Sequence, residues 1–298
     1  MKGVIILATG HSIYGRYALN LAISLRANCH NVDICLVCDK QGIADFKEYQ
    51  LNLFNTIKII DESSYIINGE KHHFFLKTKL YELSPYDETI FFDADTLICP
   101  GKNIDFMFST LSDNDFAIAN NGWVDLITGK SNVINSYKFW GEIEAIKEYH
   151  KITKLYQTNS TFIYFKKTQE NKELFDLCQQ IYLDESAPKE KQTWGYADEY
   201  CFNVALSKLN IKFKSPNQNI IFIQFVQKKI EKKNITERFW GMTNGGHKTH
   251  PLLVKIYNEL VNQYCLKMNI LDRFYHIDKS QLIPERNVNY GTIINESL

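Results

Sequence analysis

An unbroken apolar run over residues 3–9, rich in Val and Ile and closed by Gly10, has the pattern of a strand buried on both faces. Apolar residues at 18, 19, 21, 22, 23 and 25 then give residues 14–25 the spacing of a core helix. Residues 32–38 read as a second strand, 44–54 as a helix, 56–60 as a third strand, and 74–83 as a helix that Pro85 helps to stop. A fourth strand, 89–92, is closed by acidic residues. This β-α-β-α-β succession predicts a largely parallel sheet with right-handed crossovers. Ligands of such sheets bind beyond the carboxyl ends of the strands, which places residues 9–11 and 93–95 on one rim.

The later chain is less periodic. Residues 116–119 and 161–165 read as strands, 170–183 and 198–209 as helices, and 220–226 as a further strand. Residues 122–156 mix aromatic and charged side chains without a clean period. Residues 228–233, with four Lys around one Glu, read as a solvated turn, and 251–268 and 271–277 as helices. No internal repeat or low-complexity linker marks a boundary, so one α/β domain over 1–298 is expected.

Composition narrows the classes. The 298 residues are 45% hydrophobic with 34 basic against 34 acidic side chains, which excludes a disordered chain and argues against a protein that grips phosphate backbones non-specifically. No run reaches 18 uncharged apolar residues, so no membrane span is expected and a cytoplasmic protein is. Seven Cys, an odd number, do not fit a disulfide framework, and Cys35 and Cys38 inside a strand read as buried thiols.

The chemistry concentrates at Asp93-Ala94-Asp95, directly after the strand Thr89-Ile90-Phe91-Phe92. Residues i and i+2 of an extended chain point to one side, so two carboxylates would share the rim. Two neighbouring anions call for a divalent cation, and carboxylate-bound Mg²⁺ or Mn²⁺ can hold a diphosphate and neutralise its charge as it leaves. Phosphatases of the haloacid dehalogenase type also end a strand in D-x-D-x-T/V, with the first Asp as nucleophile. Asp93 to Leu97 fits that string, but it follows about three strand-helix units instead of the first strand, and no downstream acidic pair completes the site.

Several separated segments together resemble the glycogenin-like family of nucleotide-sugar glycosyltransferases. They are Ile6-Leu7-Ala8-Thr9-Gly10-His11-Ser12-Ile13-Tyr14 leading to Ser24-Leu25-Arg26, then Thr78-Lys79-Leu80 followed by Ile90 to Leu97, then Asn159-Ser160-Thr161, then Asp198-Glu199 through Asn203. The resemblance implies a GT-A fold: a Rossmann-like, mostly parallel central sheet flanked by helices. Residues 1–120 would form the nucleotide-sugar half, 121–250 the acceptor and metal-site half, and 251–298 C-terminal helices. It implies that Thr9, Gly10, His11 and Tyr14 meet the nucleoside, with Tyr14 a candidate to stack on uracil; by itself Tyr14 reads equally as a core aromatic. Lys79 would pair with donor phosphate or the acidic cluster. Asp93 and Asp95 would bind Mn²⁺ or Mg²⁺, with Asp93 and Ala94 near the donor, and Asn159 and Ser160 would line the sugar pocket. Asp198, helped by Glu199, would orient the transferred sugar or the acceptor; its other reading is a helix N-cap. Retention at the anomeric carbon is implied as well.

The family's H-F-x-G-x-x-K-P-W segment is missing. Gly245-Gly246-His247-Lys248-Thr249-His250-Pro251 offers similar chemistry: glycines for close approach to phosphate, an imidazole as ligand, an ammonium as countercharge. His247 is the first choice for the third metal ligand, His250 the second, with Lys248 on the phosphates. Alternatively Gln224 stands in the His place, and the segment also reads as a plain loop before a helix. Thr161 and Glu199 stand where the family has Gly and Gln, so glucose is not carried over as the donor sugar. Partners are thus a nucleotide-sugar, a UDP-sugar by the resemblance, and an acceptor that is a saccharide or a modified nucleic-acid base. Richness in Asn, Ile and Lys points to an AT-rich genome such as a phage's, and phages glycosylate hydroxymethylated bases. A homodimer stays open, and so does a module that keeps the fold and binds nucleotide-sugar without turnover.

Overall fold

A computed structural model describes residues 1–29, 31–133, 139–193, 195–215, 222–223, 240–243 and 251–270. In chain order they form β1 (Lys2–Ala8), α1 (Ser12–Asn28), β2 (Ile34–Cys38), β3 (Thr56–Ile59), β4 (Glu88–Asp93), β5 (Thr96–Ile98) and α2 (Ile104–Leu111). There follow β6 (Phe116–Asp125), α3 (Ile143–His150), β7 (Lys154–Lys166), α4 (Gln169–Leu183), α5 (Asp198–Leu209), β8 (Phe222–Ile223), β9 (Gly241–Thr243) and α6 (Pro251–Lys267). Six strands make a central sheet in the order β3-β2-β1-β4-β7-β6. The pairings β1/β2 and β2/β3 are parallel, as the alternating pattern predicted, and β6/β7 is antiparallel. A second sheet runs β8-β9-β5.

The described chain packs as two compact units. One comprises Gly3–Ile59, Phe92–Ser112 and the described part of Pro216–Leu298; the other comprises Met1–Lys2, Ile60–Phe91 and Asp113–Ser215. We call them the first and second unit.

In the first unit the apolar run of β1 is buried from Val4 to Ile6, and β2 is buried throughout. Helix α1 is buried on nearly every side, because α6 packs against it as well. Two of the polar groups this encloses bridge to neighbouring elements: Asn20 Nδ2 donates to the Tyr257 hydroxyl at 3.2 Å, and Ser24 Oγ accepts from Ile98 N at 3.1 Å. The Tyr264 hydroxyl, on α6, donates to the Ile98 carbonyl at 2.6 Å, tying that helix to the strand after the acidic motif. Cys35 and Cys38 are buried free thiols that burial pushes up to about 11 and about 12, the inert state expected of them.

Three sequence expectations change. Residues 44–54 are helical only at Glu48–Leu51, because residues 39–46 form successive turns organised by Asp39 and Gly42. The helix expected over 74–83 breaks at Lys79 (φ −98°, ψ 5°) into single turns, Phe75–Thr78 and Leu80–Leu83. Thr78 Oγ1 bonds back to the Phe75 carbonyl at 2.7 Å just before the break, a contact that bends helices. The region 122–156, which showed no period, contains the end of β6 and the whole of α3, an eight-residue helix closed by Lys151 in the left-handed region at φ 54°. Helix α2 has no counterpart among the elements expected from the sequence; Asn103 caps it, and Ile104, Met107, Phe108 and Leu111 are buried at helical spacing. The strand expected at 220–226 is described only at Phe222–Ile223, and the helix at 271–277 lies outside the described residues. No helix among the described residues is long and apolar enough to cross a membrane.

In the second unit α3 ends on buried His150, whose Nε2 lies 2.8 Å from the Tyr200 hydroxyl of α5. Burial holds its pKa down to about 4. An unfolded imidazole takes its proton near 6.5. Between pH 6.5 and 4 the unfolded chain therefore binds more protons, and stability rises with pH. This contribution is complete above pH 6.5 and is lost as pH falls toward 4. In acid thermal melts His150→Gln should show a shallower fall of the midpoint over that window than the wild type.

Candidate active site

At the carboxyl ends of β1 and β2 the sequence-predicted loop is formed by Thr9, Gly10 and His11, and Tyr14 lies in the first turn of α1. Gly10 adopts φ 85°, a conformation that suits glycine. His11 caps α1: its Nδ1 accepts from Ile13 N at 3.1 Å. Thr9 is buried, while Tyr14 is 38% exposed, so it is not the core aromatic that its place at a helix start also allowed. A residue the sequence reading missed joins them. Asp39, 1% exposed, closes β2 and accepts from Gly10 N at 2.6 Å. Its signal was present: an acid ending an apolar strand, the feature that singled out Asp93. Nearby, Asp45 accepts from Arg16 Nε at 2.9 Å, and that guanidinium holds its carboxyl below the usual range.

Asp93 is the last residue of β4, Ala94 and Asp95 form a turn, and Thr96 begins β5. The chain is therefore not extended through the motif, and the same-side argument for an i, i+2 pair does not apply. Asp93 is half-buried and Asp95 is 7% exposed. Asp95 lies close enough to Tyr257 of α6 for its charge to help burial keep that phenol protonated. Among the described residues no three His, Cys, Asp or Glu side chains form a metal-holding group. Two hard carboxylate oxygens donors nevertheless suit Mg²⁺ or Mn²⁺, which commonly takes one or two protein carboxylates and completes its shell with water and substrate phosphate. His247, Lys248, His250 and Gln224 lie outside the described residues. Thr243, the last residue of β9, pairs with Thr96, one residue after Asp95.

The second unit holds the other predicted residues. A three-residue irregularity in β7 lies between Asn159, which pairs with Ala119, and Ile163, which pairs with Ile118. Such a bulge re-aims side chains. Within it, Ser160 Oγ accepts from Lys77 Nζ at 3.0 Å, and Thr161 N donates to Asn159 Oδ1 at 3.0 Å. Lys77 Nζ also stands 3.7 Å from Asp198 Oδ1 and 5.6 Å from the Phe91 ring centroid. Asp198 is 2% exposed and is the first residue of α5; the N-cap is Ala197, so Asp198 does not serve as the cap. Glu199 follows, half-buried. Asn203, one turn on, accepts from Thr158 N and Oγ1 at 2.7 and 2.8 Å, fixing α5 to β7.

The chain entering α5 is held as firmly. Lys189 Nζ donates to the carbonyls of Ile181, Tyr182 and Asp184 at 2.8, 2.6 and 2.6 Å, and Tyr196 N donates to the Tyr182 hydroxyl at 3.0 Å. Gly195, at φ 107°, lies where a Cβ would come 2.3 Å from that hydroxyl.

Lys79, expected on donor phosphate or the acidic cluster, meets a main-chain carbonyl in this structure. Its Nζ donates to the Ser64 carbonyl at 3.1 Å and lies 4.6 Å from the Phe75 ring centroid. Residues i and i+2 of a helical stretch face apart. The lysine that meets Ser160 and Asp198 is thus Lys77, immediately before the T-K-L string and two residues before Lys79.

No family model matches the sequence, and no curated protein matches it. Solved structures do match in shape. The bifunctional glycosyltransferase WbbM superposes with a TM-score of 0.56 at 13% identity, over 91% of this chain and 51% of that one. The fold is that of the GT-A glycosyltransferases. The galactosyltransferase LgtC, solved with donor and acceptor sugar analogues, gives 0.54 at 15% identity over 88% of this chain and 96% of that one. Mouse xyloside xylosyltransferase 1 gives 0.51 at 11% identity over 84% and 100%. The GT-A fold expected from the sequence is thus found, and this chain spans about half the length of the WbbM structure.

Proposed function

We propose that the chain is a metal-dependent glycosyltransferase that moves a sugar from a nucleoside diphosphate, UDP in the first instance, to a hydroxyl acceptor with retention. The observation that carries this reading is an acid pair, Asp93 and Asp95, ending a central strand of a GT-A fold. Names of the structural neighbours speak of galactosyl and xylosyl transfer, which supports a glycosyl donor here. In the first unit, Thr9, Gly10, His11 and Tyr14 would receive the nucleoside. Asp93 and Asp95 would hold Mn²⁺ or Mg²⁺, which when bound neutralises charge developing on the departing diphosphate. Residues 244–250 follow a strand anchored beside Asp95, which favours His247 as the third ligand and Lys248 as a countercharge. In the second unit, Asp198 would orient the sugar hydroxyls, Lys77 would hold Asp198 in place, and Asn159 and Ser160 would border the sugar. The acceptor we propose is a saccharide or a hydroxymethylated DNA base.

The test is release of UDP from a panel of UDP-sugars with Mn²⁺ and with a chelator, with and without each acceptor. Release that requires the metal and increases with one acceptor supports the proposal. Phosphate release from simple phosphoesters, lost on replacing Asp93, would replace it with a phosphatase, and tight UDP binding without turnover across the panel would leave a binding module.

A further inference from the structure

The turn that follows β2 is built around a buried carboxylate that faces the loop between β1 and α1. Asp39 Oδ2 accepts from Gly10 N and Oδ1 from Gly42 N, both at 2.6 Å. Gly42 is confined from the other side: a Cβ there would lie 2.0 Å from the Ala8 carbonyl oxygen. Gly15, in the first turn of α1, is confined in turn by Gly42, because its Cβ would lie 1.7 Å from the Gly42 carbonyl oxygen. Residues 39–42 are thus wedged against both the end of β1 and the start of α1. Holding Gly10 N and Gly42 N together needs a side chain that accepts through two oxygens at once. An ionised Asp does so; an Asn of the same shape offers one oxygen and an NH₂ that would oppose one of the two N–H donors.

We propose that Asp39 is a positioning residue for the nucleoside end of the donor. By holding Gly10 in its left-handed conformation it sets where Thr9, His11 and the half-exposed Tyr14 present themselves. The inference rests on the reading that this loop receives the nucleoside. Asp39 acts through the loop's main chain and is not itself assigned a contact with the ligand.

Calorimetric titration of the full chain with UDP and Mn²⁺ tests it, together with UDP-sugar turnover. In Asp39→Asn the UDP dissociation constant and the donor KM should each rise about tenfold, equivalent to about 1.4 kcal/mol, with kcat within about twofold of wild type. Gly10→Ala, which strains the same turn while keeping Asp39, should raise KM in the same way and keeps the test available if Asp39→Asn does not fold. Cys35→Ala, a cavity elsewhere in β2, should lower the melting midpoint and leave UDP affinity unchanged, separating positioning from general stability. Unchanged affinity in folded Asp39→Asn or Gly10→Ala, with wild type binding UDP, overturns the role of Asp39. Wild type that fails to bind UDP overturns the underlying reading, and this inference falls with it.

Discussion

Asp93→Asn and Asp95→Asn should each lower metal-stimulated release of UDP from a UDP-sugar by about a thousandfold, the scale of losing about 4 kcal/mol of transition-state stabilisation. The amide keeps the size of the side chain but removes the charge that attracts a divalent cation. Both variants should fold. Asp93 is half-buried, and at Asp95, 7% exposed, a neutral amide is cheaper to enclose than an anion. A melting midpoint near wild type alongside lost turnover is the expected pair of results. Rate measurements over a Mn²⁺ series check the cause: if Asp95 is a ligand, excess Mn²⁺ should restore part of the Asp95→Asn rate. Wild-type rates in both variants would remove the acid pair from the mechanism.

The second large effect is expected at Lys77. Lys77→Met keeps the aliphatic stem but leaves Asp198, whose side chain is 3% exposed, without the ammonium 3.7 Å away. Removing one partner of a buried ion pair costs about 3 kcal/mol, because the remaining charge stays desolvated. Denaturant unfolding should register that loss, and Asp198→Asn in the same chain should recover part of it, since the uncompensated charge is then gone. The double-mutant cycle thus reads the pair directly. Turnover should fall by about a hundredfold in Lys77→Met, while Lys79→Met, whose ammonium meets the Ser64 carbonyl, should stay within a few-fold of wild type.

The parts of the fold that were legible in the sequence are those whose apolar pattern is regular and long in extent. The apolar run of β1, the helical spacing in α1 and the acids closing β4 each point to a buried element with a rim, and the structure has all three. Short elements fixed by tertiary contacts were not legible. Residues 44–54 have helical composition, yet Asp39 and Gly42 turn residues 39–46 into a wedge against α1. The place of Lys77 was not legible for a related reason. The T-K-L string singles out Lys79, whereas the lysine beside Asp198 is Lys77, which precedes a break in the helix and belongs to no string. Asp39 was overlooked because it belongs to no string; its role comes from two backbone N–H groups, one of them 29 residues away in sequence.

The most direct measurement of the central claim is calorimetric titration of the full chain with UDP, in Mn²⁺ and again in a chelator. Metal and nucleotide that bind as one unit at Asp93 and Asp95 should give saturable one-to-one binding in Mn²⁺ and at least about tenfold weaker binding in chelator, a coupling of about 1.4 kcal/mol. Equal affinity in the two buffers would contradict a metal-dependent nucleotide-sugar site.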